Sequence, residues 1–201
     1  MYLGKIVSSS SHIEVFCQIY NPGEAEETPA PDDYGFGTFV GIERRDGGHL
    51  VGVIYNTTLL NPEFGTLGPR LSPQEDLAIF TPDYLNEKAT LVAVFILGEI
   101  DGQERCAQGV PQVAATIDAL VRRLSDDEIV AFHRPSGGSA GALGQLAIAY
   151  LPTLATMNSP LAPHLALVIL GRLRQLFPQA AQHLAVLESN LAWKSRVEPV
   201  G

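Results

Sequence analysis

Apolar and polar residues alternate along the first half of the chain, most plainly from His12 to Ile19. There Ile13, Val15, Cys17 and Ile19 are interleaved with Glu14, Phe16 and Gln18. A period of two places the first set on one face of a strand. Two further β-favouring segments, Thr38 to Glu43 and His49 to Thr57, flank Arg44-Arg45-Asp46-Gly47-Gly48. Asp-Gly-Gly tolerates positive φ, so the pair reads as a hairpin. Gly41 and Gly52 lie inside these strands, where a missing side chain permits the coiling and close backbone approach of a small closed barrel. Leu91 to Ile100 is almost continuously apolar, which predicts a strand buried on both faces, one toward the barrel and one toward the second half. Asp101-Gly102 then turns into a short strand around Glu104 to Gln108.

Between these segments lie Asn21 to Asp33, with three glutamates and three prolines, and Asn61 to Ser72, with Pro62, Gly65, Gly68 and Pro69. Neither composition sustains a strand or a helix interior, and the first is expected to be a mobile acidic loop. After Pro111 the period reads as 3.6, with Val113, Ile117, Leu120, Val121 and Leu124 as one helical stripe. Ser125-Asp126-Asp127-Glu128 has the spacing of a capping box and should open a second helix running toward His133. Arg134 to Ala142 reads as a flexible connection, and Leu143 to Met157 as an apolar helix interrupted by Pro152. Two further helices follow over Pro163 to Leu176 and Pro178 to Ser195, each with proline where a first turn accepts it. Their stripes are Leu165, Val168, Ile169, Leu173 and Leu176, and Leu184, Leu187 and Leu191. Leu167, Leu170, Val186 and Trp193 fall off these stripes, so the pair is expected to present apolar surface to the barrel or to another chain.

A length of 201 residues and a hydrophobic content of 46% are enough for a sizeable core. The formal net charge of −9 disfavours an extensive nucleic-acid surface, because phosphate binding draws its affinity from clustered Lys and Arg. Cys17 and Cys106 are the only cysteines and sit in apolar runs; they read as buried thiols rather than a disulfide framework. No secretory signal opens the sequence, and the longest apolar runs, Leu91 to Leu97 and Leu165 to Leu170, fall far short of a membrane-spanning helix. The expected compartment is the cytoplasm.

Candidate chemistry is sparse. Gly137-Gly138-Ser139-Ala140-Gly141-Ala142-Leu143-Gly144 leads toward a helix but lacks the Lys and Ser/Thr of a phosphate loop, since Gln145 and Leu146 follow the last glycine. It reads as a linker. The histidines at 12, 49, 133, 164 and 183 show no metal-ligand spacing, and His133 with Arg134 suits the carbonyl-rich end of a helix. Ser8 to Ser11 before His12 read as turn residues, with no nucleophile elbow. The carboxylates Glu24, Glu26, Glu27, Asp32 and Asp33 lack calcium-loop spacing. Arg44, Arg45 and His49 form the most basic spot, at the predicted hairpin tip.

The N-terminal half resembles the HAS-barrel, the small β-barrel shared by HerA-type DNA translocases and the ATP synthase catalytic subunits. The likeness is carried by Gly4-Lys5-Ile6-Val7-Ser8-Ser9 as a first strand and turn, Gly37-Thr38-Phe39-Val40 as a glycine-then-strand step, and Leu50-Val51-Gly52-Val53-Ile54 as a later strand. It covers about the first 100 residues. In that family the barrel precedes an ATPase domain and helps to assemble a ring or meet a partner. Here no Walker A motif follows, and the remaining 90 or so residues are too few for such a domain, so ATP hydrolysis is not implied.

The expected fold class is α+β, with a HAS-barrel-like β-barrel over residues 1–110 and a helical region over 111–201. The expected function is a non-enzymatic assembly or adaptor protein, with a protein partner such as an ATPase, self-association into a homo-oligomer, and no membrane contact. No catalytic, cofactor-binding or metal-binding residue is assigned, and no cofactor is expected. The alternative is an enzyme whose active site converges from separate loops, for instance through Arg70, Asp83 and His133.

Overall fold

The computed structural model describes residues 1–61, 88–135 and 146–197, with side chains through 192. Among the described residues the N-terminal half supplies β1 (Tyr2–Ser9), β2 (Glu14–Ile19), β3 (Phe39–Glu43), β4 (His49–Leu60), β5 (Ala89–Ile100) and β6 (Cys106–Gln108). The C-terminal half supplies β7 (Leu120–Arg123) and four α-helices, α1 (Asp126–Phe132), α2 (Leu151–Ala155), α3 (Ala162–Leu176) and α4 (Ala181–Val197). The sheet order is β2-β1-β7-β3-β4-β5-β6, and a β2–β5 pairing closes six of these strands into an antiparallel barrel with β6 extending β5 outside the ring. The fold is α+β: a small closed barrel, with helices mostly C-terminal to it. No helix among the described residues is long and apolar enough to cross a membrane.

Strand alternation builds two cores from one set of strands. Ile54, Val92, Val94 and Ile96 point into the barrel, where they meet Leu3, Ile6, Val15, Cys17, Ile42 and Val121. Their neighbours Val51, Val53, Tyr55, Ala93, Phe95 and Leu97 point outward and are buried beneath the helices. The two-sided burial anticipated for Leu91 to Ile100 is therefore present, and β4 shares it. Gly52 stands on the inner face of β4, beside a bulge in β5 where Leu97 is the extra residue. A Cβ there would lie 2.5 Å from Val94 Cγ1 and 3.1 Å from the Phe95 carbonyl oxygen, so only glycine lets the two strands approach this closely.

The hairpin between β3 and β4 forms as expected. Arg44 N–H donates to the Gly48 carbonyl at 2.9 Å, and Gly47 takes φ of +82°. The Asn21 to Asp33 segment is less irregular than its composition suggests. Asn21 N–H donates to the Glu24 carboxylate at 2.7 Å, and a single 3-10 turn forms at Pro31–Asp33.

The segment after Pro111 is a correction. Its first part has no regular structure, and Leu120–Arg123 is strand β7, lying between β1 and β3, not the end of a helix. Val113 and Ile117, two members of the supposed stripe, are exposed, whereas Val121 is fully buried inside the barrel. The apolar spacing fits either period, and the open gap between β1 and β3 decides it: both strands have unpaired ladder groups that a seventh strand satisfies. The barrel thus reaches beyond residue 110, as far as Arg123.

The helix expected over Leu143 to Met157 reduces, among described residues, to α2, with Pro152 in its first turn. Proline removes an amide that a helix interior needs but a first turn does not, so the helix starts at the proline and does not run through it. The last two helices match their expected spans closely, the final one opening with a 3-10 turn at Pro178–Ala180.

At 100° per residue the buried positions of α3, Ala162, Leu165, Ala166, Ile169, Leu170 and Leu173, span an arc of about 140°. Leu170, which seemed to fall off the stripe, is fully buried in that arc, while Val168, assigned to the stripe, is 42% exposed. The side chain of Trp193 lies outside the described set. Because Leu170 packs in the core shared by barrel and helices, Leu170→Ala is expected to lower unfolding free energy by about 2–5 kcal/mol, against less than about 0.5 kcal/mol for Val168→Ala. Urea denaturation followed by circular dichroism measures both, and equal effects would place α3 in a different rotation.

Candidate functional site

The start of helix α1 is tied to strand β7 through Glu128. Glu128 accepts from the Ser125 amide at 2.8 Å, completing the predicted capping box, and receives Arg122 of β7 at 2.6 Å. Burial alone would raise the Glu128 carboxyl, but these donors hold it below the usual carboxylate range. The helix ends at His133, which is fully buried. Its Nδ1–H donates to the Ile129 carbonyl at 2.7 Å, leaving Nε2 to accept from the Tyr150 hydroxyl at 2.8 Å. Rings of Phe39, Phe132, Tyr150 and Phe177 surround it with centroids 5.1–6.4 Å away. Both ring nitrogens are occupied and the imidazole is neutral, because burial lowers its pKa to about 4.

His133 is thus a packing and hydrogen-bonding node joining α1, the residue before α2 and the barrel. Arg70 and Asp83, its partners in the enzyme alternative, lie outside the described residues, as do the glycine-rich segment 137–144 and most of the Asn61 to Ser72 loop. His12 Nε2–H donates to the Pro111 carbonyl at 2.9 Å, and Ser11 Oγ accepts from the Glu14 amide at 3.1 Å, so the serine run and His12 serve separate turns. Arg44 is taken up by Asp46 at 2.6 Å and by Glu99, which leaves the hairpin tip less basic than its sequence. His49 lies half-buried, its Nε2 without a hydrogen-bond partner among the described residues; burial, then Arg122, lowers its pKa. Cys17 is a buried thiol pushed up to about 12 by desolvation, and the two cysteines are not bridged.

Two concavities are defined by described residues. The smaller, about 180 Å³, is a seam closed by Gln108, whose Nε2 donates to the Phe132 and Ala147 carbonyls at 3.0 Å each while Oε1 accepts from the Ala149 amide at 2.7 Å. The larger, about 270 Å³, is a groove between the segment entering β3, the β7–α1 junction and α3. Phe36 and Val168, each 42% exposed, form its apolar lip over a floor of Phe39, Leu124 and Ile129. Gly37 passes beneath Val168 at φ of +85°, where a Cβ would come within 2.4 Å of Val168 Cγ1. Arg123 and Arg172 also line the groove. Arg123 donates to Asp33 at 3.2 Å, and Arg172 meets Asp126 and donates to Gln175 at 3.2 Å.

None of the groove's polar residues was singled out in the sequence as a site. In the sequence Gly37 and Phe39 read only as a step into a strand, and Val168 as a member of a helical stripe. The available signal was the Gly35-Phe36-Gly37 bracket, which puts an aromatic residue between two glycines next to a barrel strand.

A family model described as Domain of unknown function (DUF8166) matches residues 1–200. The chain belongs to that family. The DUF8166 match takes in barrel, helices and groove together. No curated protein matches the chain.

The buried imidazole makes a pH prediction. The folded-state pKa of His133, about 4, lies below its ordinary value of 6.5, so the unfolded chain takes up the proton first. The stability contributed by the neutral ring is complete above pH 6.5 and is lost as pH falls toward 4, by roughly 3 kcal/mol. Urea midpoints at intervals across this window should fall more steeply for the wild type than for His133→Asn. Parallel curves for the two proteins would show that His133 is accessible to protons in the folded state.

Proposed function

We propose that this chain is a non-enzymatic assembly or adaptor protein that uses its barrel-and-helix body as a scaffold and the groove beneath Phe36 and Val168 as a contact surface. The observation that carries the reading is the groove's make-up: two exposed apolar side chains, set by the backbone at Gly37 and by α3, with ion-paired arginines at the margins. An apolar centre with a polar rim is the usual anatomy of a protein contact surface. A volume of about 270 Å³ also falls below the usual range of about 300–1,000 Å³ for small-molecule and cofactor pockets.

The N-terminal resemblance to the HAS-barrel supports the same reading by analogy. It suggests a partner of the ring-forming ATPase kind, a DNA-processing complex as the setting, and a cytoplasmic location. Self-association into a homo-oligomer through the same surface belongs to this proposal. The rival reading is an enzyme with residues converging from separate loops, Arg70, Asp83 and His133 among them; the burial of His133 and its hydrogen bonds at both nitrogens favour the adaptor reading.

Crosslinking and affinity capture from the native cell, with wild type beside Phe36→Ser/Val168→Glu, tests the proposal. The wild type should retain a specific partner, or itself, that the double variant loses by tenfold or more while keeping its circular dichroism spectrum. An unchanged partner set would remove the groove from the account. Small-molecule turnover abolished by a single substitution in this chain would favour the enzyme.

A further inference from the structure

Strands β4 and β5 stay paired beyond the end of β3. The last contacts between β4 and the chain entering β3 are at Ile54, whose N–H donates to the Thr38 carbonyl at 3.0 Å and whose carbonyl accepts from the Gly37 amide at 2.8 Å. Tyr55 is then an extra residue in β4, and Asn56 to Leu60 continue opposite Ala93 to Ala89 of β5. On the side of this stretch away from β5, no backbone partner is present among the described residues. Hydrogen-bonding direction alternates along a strand, so the register fixes which groups are open. Ile54 bonds toward β3. After the one-residue bulge, Asn56 and Thr58 bond toward β5, and Thr57 and Leu59 face away from it. The Thr57 amide agrees: its N–H goes to the Asn56 side-chain oxygen at 3.0 Å.

An open edge accepts one more strand, and proteins commonly guard such edges with charge or proline. Asn56-Thr57-Thr58-Leu59-Leu60 has neither, and all five residues are exposed, Leu59 by 76% and Leu60 by 46%. The occupant that fits the register is the same edge of a second copy. In antiparallel pairing centred on Thr58, Thr57 of each copy stands opposite Leu59 of the other, and these are the residues whose backbone groups face outward. Each such pair exchanges both N–H···O=C bonds, and the two-fold axis makes the contact isologous. Two chains of formal net charge −9 meet there along a stretch that carries no charge. We propose that two copies of this chain join through the Asn56 to Leu60 edges of β4 into one continuous antiparallel sheet. In the free protein the Asn56 side chain holds the Thr57 amide, and pairing displaces it. So short an edge makes a small interface, with a dissociation constant on the order of 100 μM. None of its residues lines the groove beneath Phe36 and Val168, so this contact stands or falls apart from the adaptor reading of that groove.

Sedimentation velocity of the full chain from about 5 to about 500 μM, with amide hydrogen exchange read residue by residue at both ends of the range, tests the proposal. A dimer should form at the high end. Protection should rise at Thr57 and Leu59, while Thr58, already bonded to β5, changes little. Leu59→Pro removes one outward donor and Leu59→Lys places a charge on the edge; each should weaken the dimer at least tenfold while leaving the circular dichroism spectrum unchanged. Asn56→Ala frees the Thr57 amide and should tighten the dimer severalfold.

A strict monomer at the highest concentration overturns the proposal, as does a dimer that Leu59→Lys and Asn56→Ala leave unchanged. A dimer that Val168→Glu abolishes and Leu59→Lys does not assigns self-association to the groove, which supports the adaptor reading and sinks the edge pairing. Protection of Thr57 and Leu59 that arises only with a captured protein, in a chain that is monomeric by itself, gives the edge to a strand of that protein and likewise overturns the pairing of two copies.

Discussion

The double burial of the β4–β5 pair is the constraint on which the rest of the structure depends. A strand points alternate residues to opposite faces, and along these two strands both faces are apolar. Val92, Val94 and Ile96 fill the barrel, while Ala93, Phe95 and Leu97 need a second cover. A six-stranded barrel alone would leave the outward set in water. The helices supply that cover, with α3 offering an arc headed by Leu165, Ile169 and Leu170. The barrel and the helical region are therefore not separable packing units, since the outer wall of one is the floor of the other. Placing β7 after the expected barrel boundary has the same effect, because the chain must finish the barrel before it can build the helices that cover it.

Two polar devices fix how the cover sits. Glu128 serves at once as the capping carboxylate of α1 and as the partner of Arg122 on β7, so the helix start is registered against a barrel strand. His133 fastens the helix end through its two ring nitrogens, to Ile129 and Tyr150, inside a ring of aromatic side chains. A buried polar group without partners would cost a few kcal/mol; satisfied at both nitrogens, it selects one arrangement of the elements around it.

Much of this was legible from residue order. Strict alternation identified β2, Asp-Gly-Gly identified the β3–β4 turn, the near-continuous apolar run identified β5 as buried on both faces, and Ser125 with Glu128 identified the start of α1. What was misread has a common cause. Leu120, Val121 and Leu124 satisfy a helical period and, over four residues, a strand equally well, and the choice rests on the gap between β1 and β3, a non-local fact. Pro152 marked an interruption, but whether the helix lay before or after it depended on burial of Leu154 and Tyr150 by distant residues. The rotation of α3, and with it the exchange of roles between Val168 and Leu170, is set by where the barrel wall lies. The groove was hidden for the same reason: Phe36, Arg123 and Val168 are separated in sequence and meet only through topology.

The central claim, that barrel and helices stabilise each other through one shared outer core, is tested most directly by native-state hydrogen exchange of the full chain across sub-denaturing urea. Amides of β5, such as Val94 and Phe95, and amides of α3, such as Ile169 and Leu170, should converge on the same opening free energy and the same urea dependence, as expected of one cooperative unit. Complete exchange of the α3 amides while those of β5 remain protected by several kcal/mol more would show that the barrel stands without its cover, and would contradict the account.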